Sequence, residues 1–134
     1  MSITSSPMTT PFWEAAADGR LVVPQCSACG RRFFTPEVVC PYCFNADWTW
    51  VGSEGRGRVY SFTVVHRAAD PAHQSDTPFA LAVVDLDDGW SMLARLTGVP
   101  VDEVRVGLGV RVCFEPLNDL GRVPMFEPDP IGGT

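Results

Sequence analysis

Four of the five cysteines fall into two like units, Cys26-Ser-Ala-Cys29 and Cys40-Pro-Tyr-Cys43, inside a segment of eighteen residues. A CxxC turn aims two sulfurs at one point while turning backbone N–H groups toward them, so two such turns supply a closed tetrahedral thiolate site. Gly30, directly after the first pair, can take the positive φ with which the chain leaves such a turn. Arg31-Arg32-Phe33-Phe34 is then expected to run back as a strand, with Pro36 and Pro41 fixing the approach to the second turn. Two disulfides or a thioredoxin-like redox pair are the competing uses of these cysteines. An intracellular setting disfavours the first, and the symmetry of the two units disfavours the second. Cys26, Cys29, Cys40 and Cys43 are therefore the candidate metal ligands. The short spacer favours zinc, while a rubredoxin-like iron centre uses the same four thiolates. Four protein ligands leave no open coordination position, so the expected role is structural.

Size explains why such a module needs a metal. Leu21, Val22, Val23, Phe33, Phe34, Val38 and Val39 are the apolar residues at hand, too few to offset the ordering of about 28 residues. Metal binding worth roughly 10 to 16 kcal/mol in comparable peptides closes that gap.

The whole chain has 134 residues, 46% of them hydrophobic and 19% charged, which suits one compact domain or two small modules and leaves no room for a (β/α)8 enzyme. It has no apolar run of eighteen residues and no charged-then-apolar leader, so the expectation is a cytoplasmic protein without a membrane partner. The formal charge is −6, and four thiolates with one bound dication would take it to about −8, a field that repels phosphate backbones. All ten basic residues are arginine, which removes Schiff-base chemistry and a lysine phosphate clamp from consideration.

Residues 1–8 are rich in serine, threonine and proline and read as a disordered start. Thr10 and Pro11 then signal a helix N-terminus and Gly19 its end; Phe12, Trp13 and Ala16 share one face. Those rings are expected to dock on the ribbon or the second module, or else on a partner. A first unit is thus expected over residues 1–19, a zinc ribbon over 20–50 and a β domain over 51–134, with Trp48 and Trp50 on one strand face at the boundary.

From residue 57 the pattern is strands. Gly57 to His66 alternates, with Tyr60, Phe62, Val64 and His66 expected on one face. Phe79 to Leu86 and Trp90 to Leu96 form a hairpin through Asp87-Asp88-Gly89, in which Asp88-Gly89 is expected to supply the positive φ values of a tight turn. Pro100 to Val104 reads as a short helical turn, Gly107 to Glu115 as a fourth strand and Arg122 to Phe126 as a fifth. Five strands with a turn between the third and fourth give the element order of an OB-fold barrel, a small open sandwich being the alternative. The expected fold is mainly β: a short N-terminal helix, a four-cysteine zinc ribbon and a five-stranded OB-fold barrel.

No catalytic set emerges. The polar loop Ala68 to Pro78 flanks the ligand face of such a barrel, but its His73 reads as solvated and His66 as a strand residue. Cys113, on an alternating strand with Arg111 and Glu115, has no base placed beside it. Phe33, Phe34, Trp48, Trp50 and Tyr60 offer stacking surfaces, and Arg20, Arg31, Arg32, Arg56 and Arg58 a local basic cluster. Against a nucleic-acid partner, three arginines face four acids in residues 1–50 and seven face twelve in residues 51–134. The cluster would equally suit an acidic partner or the phosphates of coenzyme A.

These features together resemble one family. Phe12-Trp13 in an opening helix, Gly19-Arg20-Leu21 before the first cysteine pair, Pro36 before the second, and Gly55-Arg56-Gly57-Arg58-Val59-Tyr60-Ser61-Phe62 carry the likeness. So do Phe79 to Leu86, Gly107 to Val112 and the closing Pro124-Met125-Phe126. The chain is similar, nearly end to end, to domain-of-unknown-function family thirty-five, a rubredoxin-like zinc ribbon followed by an acyl-CoA-associated OB-fold. The resemblance implies a non-catalytic companion in a hetero-oligomer with a thiolase-superfamily aldolase or acyltransferase of lipid metabolism, with a hydratase as a neighbour. It also implies that a CoA thioester, with steroid side-chain esters among the candidates, is the ligand of the complex, and that retro-aldol or condensation chemistry belongs to the partner. A stand-alone acyl-CoA binder and a single-strand nucleic-acid module are the alternatives.

Overall fold

The computed structural model describes residues 8–66, 78–116 and 121–130. The opening residues 1–7 and the polar loop with His73 lie outside the described residues. Helix α1 (Thr10–Ala17) opens with Pro11 in its first turn, where a missing N–H costs nothing. It closes on a Schellman pair, Gly19 N–H donating to Ala16 O at 3.0 Å and Arg20 N–H to Ala15 O at 2.8 Å. Strands β1 (Val22–Cys26) and β2 (Trp48–Gly52) pair antiparallel from Val22↔Gly52 to Cys26↔Trp48 and hold the metal-ligand turns between them.

Five further strands follow: β3 (Arg56–Val65), β4 (Phe79–Leu86), β5 (Ser91–Leu96), β6 (Gly109–Pro116) and β7 (Arg122–Pro128), with a single 3-10 turn at Val101–Glu103 between β5 and β6. They close a barrel in the order β3-β4-β5-β7-β6, the strand order of an OB-fold. Closure is uneven. β6 and β7 pair over seven residues, whereas β5 and β7 meet in parallel at Leu96↔Phe126 alone.

Three local expectations are corrected. Arg31 to Phe34 does not form a strand: it makes one isolated bridge, Gln25↔Arg32, because the chain must turn toward the barrel after Arg32. The β4–β5 connection keeps Asp87 and Asp88 at negative φ and places only Gly89 at φ 92°, so it is a three-residue hairpin loop, closed by Leu86 N–H to Trp90 O at 2.7 Å. A bulge between Val59 and Ser61 shifts the phase of β3. Val59, Phe62 and Val64 therefore lie opposite the buried Val84, Ala82 and Ala80, while Tyr60 is the inserted residue and stands 64% exposed.

The ribbon and the barrel share one core. Phe12 and Ala15 of α1 and Leu21, Val22 and Val23 around β1 pack in a single cluster with Val59, Ala82, Met92, Val110 and Phe126 of the barrel. Only Cys26, Phe33 and Cys40, with Trp48 against them, form a separate ribbon cluster, and Val38, expected in the ribbon core, is 74% exposed. A run of ring contacts links the parts: Trp48 to Trp50 at 5.6 Å, Trp50 to Phe12 at 6.2 Å, Phe12 to Phe34 at 5.3 Å and Phe34 to Trp90 at 5.6 Å. Of the five rings that offered stacking surfaces, four are thus packed inside this column or on the ribbon, and Tyr60 alone projects.

An ion pair pins the ribbon to the β4–β5 hairpin. Arg32 Nη1 binds Asp88 Oδ2, the two side chains 23% and 19% exposed, and Asp88 Oδ1 is buried with no hydrogen-bond partner among the described residues. Removing the guanidinium leaves a mostly buried carboxylate uncompensated. Arg32→Ala is expected to lower unfolding stability by about 2 kcal/mol, read from the urea midpoint at unchanged m-value, and the double variant with Asp88→Ala should recover part of that loss.

Candidate metal centre

The ligand turns are built by the same backbone bonds twice over. In the first, Cys26 N–H donates to Arg31 O at 2.9 Å and Gly30 N–H to Cys26 O at 3.0 Å. In the second, Cys40 N–H donates to Asn45 O at 2.9 Å and Phe44 N–H to Cys40 O at 2.8 Å. Amides also point at sulfur: Ala28 and Cys29 N–H each reach Cys26 Sγ at 3.4 Å, and Tyr42 N–H reaches Cys40 Sγ at 3.4 Å. The residue that leaves each turn has positive φ, 76° at Gly30 and 64° at Phe44. Sequence reasoning found the first from its glycine. It missed the second, because a phenylalanine carries no signal for the left-handed region.

The four sulfurs converge, all lying within 4.8 Å of one another. Cys26 Sγ and Cys43 Sγ are 3.5 Å apart, and Cys29 Sγ and Cys40 Sγ 3.7 Å. A tetrahedron with metal–sulfur bonds of 2.3 Å has edges of about 3.8 Å, whereas a disulfide needs about 2.05 Å. The spacing fits a tetrahedral ion and no pair is bonded, so the donor set suits zinc or iron. Two ligands, Cys26 and Cys40, are buried and two, Cys29 and Cys43, face solvent.

The amides tune the donors. N–H bonds from Cys29 and then Ala28 outweigh burial and bring the Cys26 thiol down to about 6, in the thiolate range at neutral pH. At Cys43 the Asn45 N–H pulls downward, but the proton shared with Cys26, burial and the nearby Cys29 and Cys40 sulfurs prevail and push it up to about 11. Four thiols this close cannot all ionise without a cation among them. Arg31 lies over the Tyr42 ring at 4.8 Å, tying one ligand turn to the other.

The remaining candidates do not assemble into a reactive centre among the described residues. Cys113 sits on β6 opposite Met125, its thiol pushed up to about 11 by burial and then by the Glu127 and Glu115 carboxylates, the direction opposite to that of an activated thiol. His66 is exposed at the end of β3. The arginines read as a cluster are held separately: Arg20 by Asp18 at 3.6 Å, Arg32 by Asp88, Arg56 by Asp129 at 3.6 Å, and Arg58 on Gly107 O at 3.1 Å. No helix among the described residues is long and apolar enough to cross a membrane.

Comparison with known proteins places both halves. Residues 13–49 match the model of the ChsH2 rubredoxin-like zinc ribbon domain, and residues 50–115 that of the ChsH2 C-terminal OB-fold domain. The chain is 36% identical over 129 residues to the 3-oxo-4,17-pregnadiene-20-carboxyl-CoA hydratase alpha subunit of Mycobacterium tuberculosis, covering 96% of this chain and 40% of that subunit. It is 31% identical over 106 residues to the benzoylsuccinyl-CoA thiolase subunit BbsA of Thauera aromatica, covering 72% of this chain and 70% of BbsA. Among solved structures, a chain of the Ltp2-ChsH2(DUF35) aldolase superposes with a TM-score of 0.83 at 30% identity, over 94% of this chain and 98% of that one. The chain spans well under half the length of the hydratase alpha subunits it matches, 36% and 40%.

Proposed function

This chain belongs to the ChsH2 family of DUF35 proteins, a zinc ribbon joined to an OB-fold, and from that premise we propose that it is a non-catalytic scaffold subunit for a thiolase-fold enzyme acting on acyl-CoA thioesters. The observation that carries the reading is the likeness, over almost the full length of both chains, to a component of an aldolase assembly. The names of the curated relatives supply the substrate class. One is a thiolase subunit and the other a steroid-derived CoA ester hydratase subunit, so steroid side-chain CoA esters are the class favoured here.

Cys26, Cys29, Cys40 and Cys43 would hold a structural zinc ion, iron being the alternative, and a bound ion supplies a four-way cross-link with no site for substrate. The chain's own residues do the rest. The shared core and the Arg32–Asp88 pair hold ribbon and barrel in one orientation. A rigid body of this kind can present separate apolar surfaces to a partner without paying to order them on binding. Tyr60 and Val106 project from the barrel at 64% and 65% exposure, and Phe44 from the second ligand turn at 76%. Bond cleavage or formation on the thioester would occur in the partner.

Co-expression with an Ltp2-like thiolase-fold aldolase, followed by size exclusion and an aldol-cleavage assay on a CoA ester, tests this. The expected result is one co-eluting complex, with turnover by the complex at least tenfold above either component. Turnover by this chain alone, or separate elution of the two, would sink the reading.

A further inference from the structure

The barrel has an open seam, and its edges indicate what fills it. The bonds Leu86 N–H to Trp90 O at 2.7 Å and Thr97 N–H to Phe126 O at 2.8 Å fix the phase of β5. Even-numbered residues bond to β4, and odd-numbered ones turn their N–H and C=O toward β7. β7 meets β5 only at Leu96↔Phe126, so among the described residues no strand pairs with the seam side of Leu93.

Between the diverging strands lies a groove of about 740 Å³ lined by consecutive residues of both, Met92 to Arg95 and Val123 to Met125, with Phe12 and Trp13 of α1 as a third wall. Its lining is apolar, and the Leu93 side chain at its rim is 64% exposed. Pro124 on the facing strand has no N–H, so the β5 edge carries the donor of the pair.

An apolar groove alone would suit many ligands. A groove flanked by the strand-edge backbone of Leu93, unpaired among the described residues, selects one that carries its own alternating N–H and C=O groups and apolar side chains two residues apart, which is an extended polypeptide. We propose that an extended segment of the partner enzyme adds as a strand beside β5, bonding to the Leu93 backbone and burying apolar side chains between Trp13 and Met125. This rests on the scaffold reading and gives its contact a chemistry.

Hydrogen–deuterium exchange on the wild-type chain, alone and in the co-purified complex, tests it. The expected result is at least tenfold slower exchange at the Leu93 amide in the complex. Leu93→Pro removes that N–H without costing a bond to β4, since Leu93 lies at a non-bonded position of that pair; its complex should be at least tenfold weaker, at unchanged circular dichroism and metal content. Leu93→Thr, which keeps the amide, should bind more tightly than Leu93→Pro. A complex that forms with the Leu93 amide exchanging at its free rate overturns the strand addition and leaves the scaffold reading standing. Failure of any complex to form overturns both. Protection of Leu93 in a homodimer of this chain, or by octanoyl-CoA alone, assigns the groove to another occupant and also overturns the proposal.

Discussion

Cys40→Ser is expected to cost this protein its tertiary structure in both halves, and not merely its ribbon. Cys40 is fully buried and packs with Cys26 and Phe33 beneath Trp48, so the substitution removes a ligand and leaves a hydroxyl in an apolar pocket. Four-thiolate zinc binding contributes roughly 10 to 16 kcal/mol in small peptides, as much as the whole stability of a typical domain of about 5 to 15 kcal/mol. The damage then travels. Trp48 meets Trp50 edge to face, Trp50 meets Phe12 at a tilt, and Phe12 sits in the same cluster as Met92 and Phe126 of the barrel. The expected observations are metal content below one tenth of the wild-type value, loss of the near-ultraviolet tryptophan signal and a largely insoluble product. Stripping the wild-type protein with a chelator should reproduce the spectral change, and re-adding zinc should reverse it. A soluble Cys40→Ser protein with a native near-ultraviolet spectrum would show that the four sulfurs do not carry the fold.

Gly57→Ala is expected to be the most damaging single-carbon change in the barrel. Gly57 is the point at which β3 pairs on both sides, with Leu86 of β4 and with Val110 of β6. A Cβ built there stands 2.1 Å from the Asp85 carbonyl oxygen and 2.9 Å from Leu86 Cα, both backbone atoms that no rotamer change can move aside. Either the β3–β4 ladder parts or the barrel opens at its closure. The expected loss is about 4 kcal/mol or more, seen as a large drop in melting temperature or as failure to express solubly. A Gly57→Ala protein melting within a few degrees of the wild type would mean that the strands approach less closely than described. Gly52→Ala is the matched control, since a Cβ at that position meets nothing within 4 Å.

Much of the architecture could be read from residue order because each signal was local. Cysteine spacing located the metal-ligand turns, Pro11 and Gly19 bounded α1, and alternation located all five barrel strands to within about two residues. The errors arose where distant parts of the chain decide the outcome. The chain leaves the ribbon's edge just after the Gln25↔Arg32 bridge, and the counter-charge that Arg32 meets is Asp88, fifty-six residues on. Leu21, Val22 and Val23 read as ribbon core, yet their faces are completed by barrel residues that no local pattern could assign. A one-residue bulge, which has no signature in an alternating run of β-formers, moved Tyr60 away from Phe62. The seam at β5 was likewise hidden, since whether a strand edge finds a neighbour is a property of closure and not of composition.

Because α1 and β1 complete the barrel's interior, neither half of this molecule carries a finished inside of its own. Such a pair can be passed from gene to gene, or grafted onto a longer protein, only as a single cassette. A cut at the junction near residue 50 would hand each recipient an open wound of apolar surface rather than a working part.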